Sequence, residues 1–271
     1  MRFVAIDWSG AKSGAEKKIW LAEASDGRLV HLECGRGREQ VARHLIELAA
    51  EDPMLIAGFD FGFSAPAWFV RRLGLSSAPQ LWALACSEAE RWLSDRQPPF
   101  WGGGRGPRPD LPRREDHYRI SDLALPPVGG IAIKSLFQVG GSGSVGTGSL
   151  RGWPVLHMLR EAGFAVWPFD AAALPLVVEI YPRLLTGPVN KSRLDTRLAY
   201  LQEHFATMPE HLRRVAASSE DAFDAAVSAM RMATHLDWRL LPRVNDVDML
   251  LEGIIWHPAL DLDALTPERM T

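Results

Sequence analysis

Apolar and polar positions along this chain fall into short blocks, each with the period of one kind of element. "RFVAIDWSG", residues 2–10, is an apolar run that ends on an acid and a glycine turn, the pattern of a buried strand. "IWLAEAS" and "GRLVHLEC" follow with "DG" at 26 and 27 between them, a strong hairpin signal. The opening is therefore three strands, most simply an antiparallel meander. "GREQVARHLIELAAEDP" sets Val41, Leu45, Ile46, Leu48 and Ala49 at helical spacing and stops at Pro53. "MLIAGFDF" is apolar on both faces, as expected of a central parallel strand.

Helices are predicted next. "SAPAWFVRRLG" has a cap at Ser64 and Gly74 past its end, and "APQLWALACSEAERWLSD" follows it. Residues 96–119 are dense in Pro, Gly and Arg and predict a long irregular loop. A Gly/Ser stretch, 138–149, leads into the amphipathic helix "LRGWPVLHMLREAG". "FAVWPFD" and "LVVEIYPRL" have strand patterns, and "KSRLDTRLAYLQEHF" and "SEDAFDAAVSAMRMATHLDW" have helical ones. This order predicts one α/β domain over 1–271, with a mixed sheet and a helical, irregular insertion at about 64–130.

Composition narrows the classes. With 271 residues and 47% hydrophobic content the chain can fill a sizeable core. A formal charge of -3 gives no global field to draw it onto nucleic acid, so any such contact rests on a local patch. Cys34 and Cys86 match no metal or disulfide spacing, which suggests a reducing, cytoplasmic setting. The N-terminal apolar stretch is too short for a signal peptide, and no apolar run approaches the roughly 20 residues of a membrane span, so no membrane partner is expected.

Acids interrupt this apolar pattern in four places. Asp7 ends the first strand and Asp60 the central one, Glu179 lies inside "LVVEIYP", and Asp221 and Asp224 share a helix face three residues apart. A carboxylate in apolar surroundings is costly unless it is paired, hydrogen-bonded or bound to a cation. If the first and fourth strands are neighbours, Asp7 and Asp60 stand side by side, and Ala222, Ala225, Ala226 and Ala229 let the late helix bring Asp224 close to them. Such an oxygen-rich set suits Mg²⁺ or Mn²⁺. Plainer roles compete with this one. Asp7 suits a turn in "DWSG", Asp60 a helix cap, and Glu179 a pairing with Arg183 or Arg193. Asp221 suits a capping box behind Ser218.

"FVAIDWSGA", "GFDFGFSAP", "VEIYPRL", "SEDAFDAAVSAM" and "LLEGIIWHP", spread from residue 3 to 258, resemble the domain-of-unknown-function 429 family of predicted RNase H-like nucleases. The resemblance implies an RNase H-like core with a mixed five-stranded sheet flanked by helices. It also implies metal-dependent hydrolysis of nucleic acid phosphodiesters with Mg²⁺ or Mn²⁺. Asp7, Asp60 and Asp224 match the metal-binding acids, with Asp221 or Glu179 as a fourth. Proven RNase H enzymes often carry a Glu on the helix after the third strand, where this chain offers Glu39, Glu47 and Glu51.

Lys134 is a candidate for neutralising a phosphate, with a solvated lysine as the alternative. Ser142 and Ser144 lie in the Gly/Ser stretch, which suits either a substrate-binding lid over the acids or a plain linker. No Gly-Lys-Ser/Thr closes that stretch, so it is not a P-loop. Arg105, Arg108, Arg113 and Arg114, near Phe100, Trp101 and Tyr118, suit phosphate contact and base stacking or a solvated loop. Two other functions fit the same elements. One is an actin-like ATPase or sugar-kinase type of phosphotransferase, with "DWSGAKSG" and "GGSGSVGTGS" as phosphate loops. The other is a non-catalytic binding module. Nucleic acid or a nucleotide is the expected substrate.

Overall fold

Asp26 and Gly27 take φ values of 49° and 71°, the left-handed backbone that a two-residue hairpin needs to match strand twist. They join β2 (Trp20–Ser25) to β3 (Arg28–Cys34), and β2 also runs antiparallel to β1 (Arg2–Asp7), so the expected meander forms. The computed structural model describes residues 1–103, 108–141 and 144–265. Helix α1 (Arg38–Glu51) buries Val41, Ala42, Leu45 and Leu48 and returns the chain to β4 (Leu55–Phe59), parallel to β1. All of β4 is buried, as its two apolar faces require.

The chain then leaves the sheet for α2 (Ala67–Arg72), α3 (Ala78–Asp95), α4 (Ile120–Ala124) and α5 (Gly146–Glu161). It re-enters as β5 (Ala165–Val166) and β6 (Leu176–Ile180). Helices α6 (Pro182–Thr186), α7 (Leu194–His204), α8 (Glu210–Ala217), α9 (Glu220–His235) and α10 (Val247–Glu252) follow, and then β7 (Ile255–Trp256).

The fold is α/β with a mixed, seven-stranded sheet in the order β3-β2-β1-β4-β6-β5, and β7 also pairs with β6. The family resemblance implies five strands and the pattern marks six, β5 among them within "FAVWPFD"; the two-residue β7, which shares the outer edge of β6 with β5, is too short to show a period. Alternate side chains feed two cores. Val4, Ile6, Leu21, Ala57 and Phe59 pack with α1, α3 and α5, while Phe3, Ala5, Ala22, Ile56 and Val178 pack with α9. Helix α9 lays Ala222, Ala225, Ala226 and Ala229, all buried, on that second face. It comes so near that a Cβ on Gly58 would lie 2.6 Å from the Met232 sulfur.

Local expectations change at three places. Ser64 does not cap α2, which starts at Ala67 behind Pro66, and the buried Ser64 hydroxyl has no hydrogen-bond partner among the described residues. Helix α5 begins at Gly146, inside the Gly/Ser stretch, where a Cβ would lie 1.9 Å from the Leu136 carbonyl oxygen; only glycine lets these backbones meet. The cap of α9 is Ser219, which accepts from the Ala222 amide at 3.0 Å, so Asp221 sits one position earlier than a capping box behind Ser218 would place it. Cys34 and Cys86 are free thiols. No helix among the described residues is long and apolar enough to cross a membrane.

Candidate active site

Parallel pairing sets Ile6 opposite Phe59, so the next residues, Asp7 and Asp60, emerge together at the carboxyl ends of β1 and β4. The Asp60 amide donates to the Ile6 carbonyl at 3.1 Å, which locks that register one residue past the strand. The two carboxyl groups stand close enough for each to shift the other's pKa. Asp224, 8% exposed, reaches the same place from α9. Asp221, a turn earlier, stands exposed at the rim.

Burial and mutual repulsion push these acids upward. Asp7 is raised well above its ordinary 3.8, first by desolvation and then by the charges of Asp60, Asp224 and Asp221. Burial, with Asp224 next, raises Asp60 to about 7. Burial raises Asp224 to about 6, against the pull of Lys191 and Arg183. The Lys191 ammonium donates to Asp224 Oδ2. Asp224 Oδ1 is buried without a hydrogen-bond partner among the described residues.

A cavity of about 370 Å³ opens beside the acids, lined in part by Asp60, Asp224, Lys191, Lys134, Ser144 and Glu179. Asp7 is not among its lining residues and meets it only through Asp60. Lys134 is exposed on the cavity wall, within the segment of Ile131 and Ile133. Ser144 stands 3.5 Å, Oγ to Oγ1, from Thr147 at the entry to α5. Ser142 and Arg105 lie outside the described residues. The amides of Gly146, Gly148 and Ser149 already donate to the carbonyls of Gln138 and Val145, which leaves less of the α5 start for an anion. In the Arg-rich loop, Arg108 lies over the Tyr118 ring at 5.7 Å and Arg113 pairs with Asp116 at 2.7 Å.

Glu179 faces the cavity from β6 but is fully engaged. Arg119 grips it at 2.5 and 2.7 Å, and the Phe63 amide donates to it at 2.8 Å. Its partner is thus neither Arg183 nor Arg193; Arg193 pairs instead with Asp195 at 2.7 Å. Arg119 also holds Asp122 at 2.8 Å and donates to the Glu252 carbonyl at 3.2 Å. The Glu252 carboxylate accepts from the Ala67 and Ile120 amides at 2.7 and 2.5 Å. Glu39, Glu47 and Glu51 are all exposed on α1, so none reaches the acids.

Sequence reasoning missed Lys191 and Arg119. One signal was present for Lys191: the chain has five lysines, and two of them, Lys134 and Lys191, line this cavity.

As the side chains stand, no set of three or more His, Cys, Asp or Glu among the described residues is arranged to hold a metal ion. Asp224 is turned onto an ammonium. The donors still fit a divalent cation in kind. They are all carboxylate oxygens, they repel one another in a buried place, and the unpartnered Asp224 Oδ1 sits beside the cavity. No protein-family model matches the chain, and neither a curated protein nor a solved structure does.

Proposed function

We propose that Asp7, Asp60 and Asp224 bind Mg²⁺ or Mn²⁺ and that the protein hydrolyses phosphodiester bonds of nucleic acid or a nucleotide. The observation that carries this is the convergence of the three acids, Asp224 buried and Asp7 and Asp60 half-buried, with one oxygen unpartnered among the described residues, beside an open cavity. The sheet supports an RNase H-like core: β1, β2 and β3 are antiparallel, β4 and β6 are parallel to β1, and the acids lie at the ends of β1 and β4 and on a late helix. The resemblance to the domain-of-unknown-function 429 family is part of the same proposal.

Asp60 and Asp224 would hold the ion from the cavity side and Asp7 from behind. When bound, the ion would lower the pKa of a water and bear charge on the phosphate. Lys134, on the cavity wall, would meet a phosphate oxygen. The Arg119 network fixes the wall on the far side through Glu179. In the reaction, water oxygen bonds to phosphorus, the bond to the leaving oxygen breaks, and a phosphate monoester and an alcohol result.

The test is cleavage of labelled single-stranded RNA, single-stranded DNA and an RNA–DNA hybrid, with Mn²⁺ or chelator, by wild type and Asp7→Asn. Cleavage that needs both the ion and Asp7 is expected. Cleavage that survives chelator or Asp7→Asn would defeat the reading. Saturable ATP binding without cleavage would favour the phosphotransferase, and the absence of ion, nucleotide and nucleic acid binding would leave a binding module.

A further inference from the structure

We propose that Lys191 occupies the position of a second cation, so that the acid cluster takes one divalent ion per chain and not two. This rests on the reading of the cluster as a cation site. Two-ion hydrolytic sites set their ions roughly 4 Å apart, and carboxylates must serve both. Here Asp224 has one oxygen to give: Oδ2 accepts from the Lys191 ammonium, while Oδ1 is unpartnered. Lys191 and Asp224 are each 8% exposed, and both line the cavity with Asp60.

The backbone that carries the ammonium is anchored. The Lys191 carbonyl accepts from the Arg197 guanidinium, whose Nε donates to the Ala217 carbonyl at 2.8 Å. Arg197 is itself 6% exposed. The loop between α6 and α7 is thereby pinned to Ala217 at the end of α8, three residues before α9 starts at Glu220. A lysine fixed this way is not a surface side chain that happens to swing inward.

Its charge offsets the repulsion among Asp7, Asp60, Asp221 and Asp224. Charge balance agrees. Three ionised acids, Asp224 buried and Asp7 and Asp60 half-buried, are neutralised by one ammonium and one divalent ion, and a second ion would leave the cluster positive before any substrate arrives. Lys191 is then a positioning residue. It holds Asp224 toward the ion and presents a fixed positive charge that needs no second metal.

The experiment is Mn²⁺ calorimetry at pH 8 with electron paramagnetic resonance on the loaded samples. It uses wild type, Lys191→Met and Lys191→Arg, each checked for folding by circular dichroism. One ion per chain is expected for wild type and Lys191→Arg. Two ions are expected for Lys191→Met, with spin coupling between neighbouring Mn²⁺. Two ions in wild type, or one in Lys191→Met, would overturn the role of Lys191. If Lys191→Met does not fold, Lys191→Gln supplies the neutral comparison, and the wild-type stoichiometry alone still decides against the proposal if it is two. No Mn²⁺ uptake by any of these proteins would overturn the cation-site reading itself, and this proposal with it.

Discussion

Two groups of buried acids flank one cavity, and they are balanced in opposite ways. Around Arg119, Glu179 and Asp122 receive a guanidinium, and Glu252 receives two backbone amides. Its members tie β6 to the insertion helices and to α10. Around Lys191, three acids converge on one ammonium, and one oxygen of Asp224 has no partner among the described residues. The first group is a closed network, which a fold uses to fix its parts. The second has more acids than its one ammonium can neutralise. A set of like charges in that condition is suited to a ligand of opposite charge.

The comparison breaks most sharply at Arg119. Arg119→Met should cost about 3–5 kcal/mol in urea unfolding, because it strands buried carboxylates without their counter-charge. A loss under about 1 kcal/mol would mean that the network is not structural.

The pH dependence sharpens it next. Asp60 and Asp224 are raised to about 7 and about 6 when folded, from an ordinary 3.8, so the folded chain binds more protons between those values than the unfolded one. Stability is therefore fully present at low pH and lost as pH rises through about 6 to 7. In chelator the loss should be on the order of 3 kcal/mol, or roughly 5–10 °C in Tm between pH 5 and pH 8. Glu252, raised to about 7 mainly by burial, titrates in the same window. Mn²⁺ should remove the part that belongs to Asp60 and Asp224, and Glu252→Gln the part that belongs to Glu252; thermal melts across pH with each separate the two.

Smaller effects follow. Asp7→Asn removes one of the repelling charges and should leave stability at pH 8 unchanged or raise it by about 1 kcal/mol. In calorimetry it should weaken Mn²⁺ by more than the 10–100-fold that loss of an outer-shell partner causes. Asp221→Asn, at the exposed rim, should stay within about 0.5 kcal/mol of wild type in unfolding. It should also leave the Mn²⁺ stoichiometry unchanged.

How far these groups were legible in the sequence follows from how local their signals are. Asp7 and Asp60 each end an apolar run, and parallel neighbours then place them together. Asp224 follows from the alanines that bring α9 onto the sheet. Glu179 was visible as an acid in a strand, but its partner was not: Arg119 comes from an irregular segment, 60 residues away, that has no period. Lys191 lies in a loop for the same reason. Strand β5 was visible within "FAVWPFD", but β7, at two residues, shows no period of its own and pairs only with the edge of β6. Ser64 has the composition of a cap, yet Pro66 starts the helix and the hydroxyl is left buried.

The most direct test of the contrast is Mn²⁺ calorimetry at pH 8 on wild type, Asp7→Asn and Glu252→Gln, each shown to be folded. Binding to wild type and to Glu252→Gln, lost in Asp7→Asn, would assign the ion to the open group of acids and structure to the closed one. No binding to wild type, or binding that survives Asp7→Asn, would contradict the account.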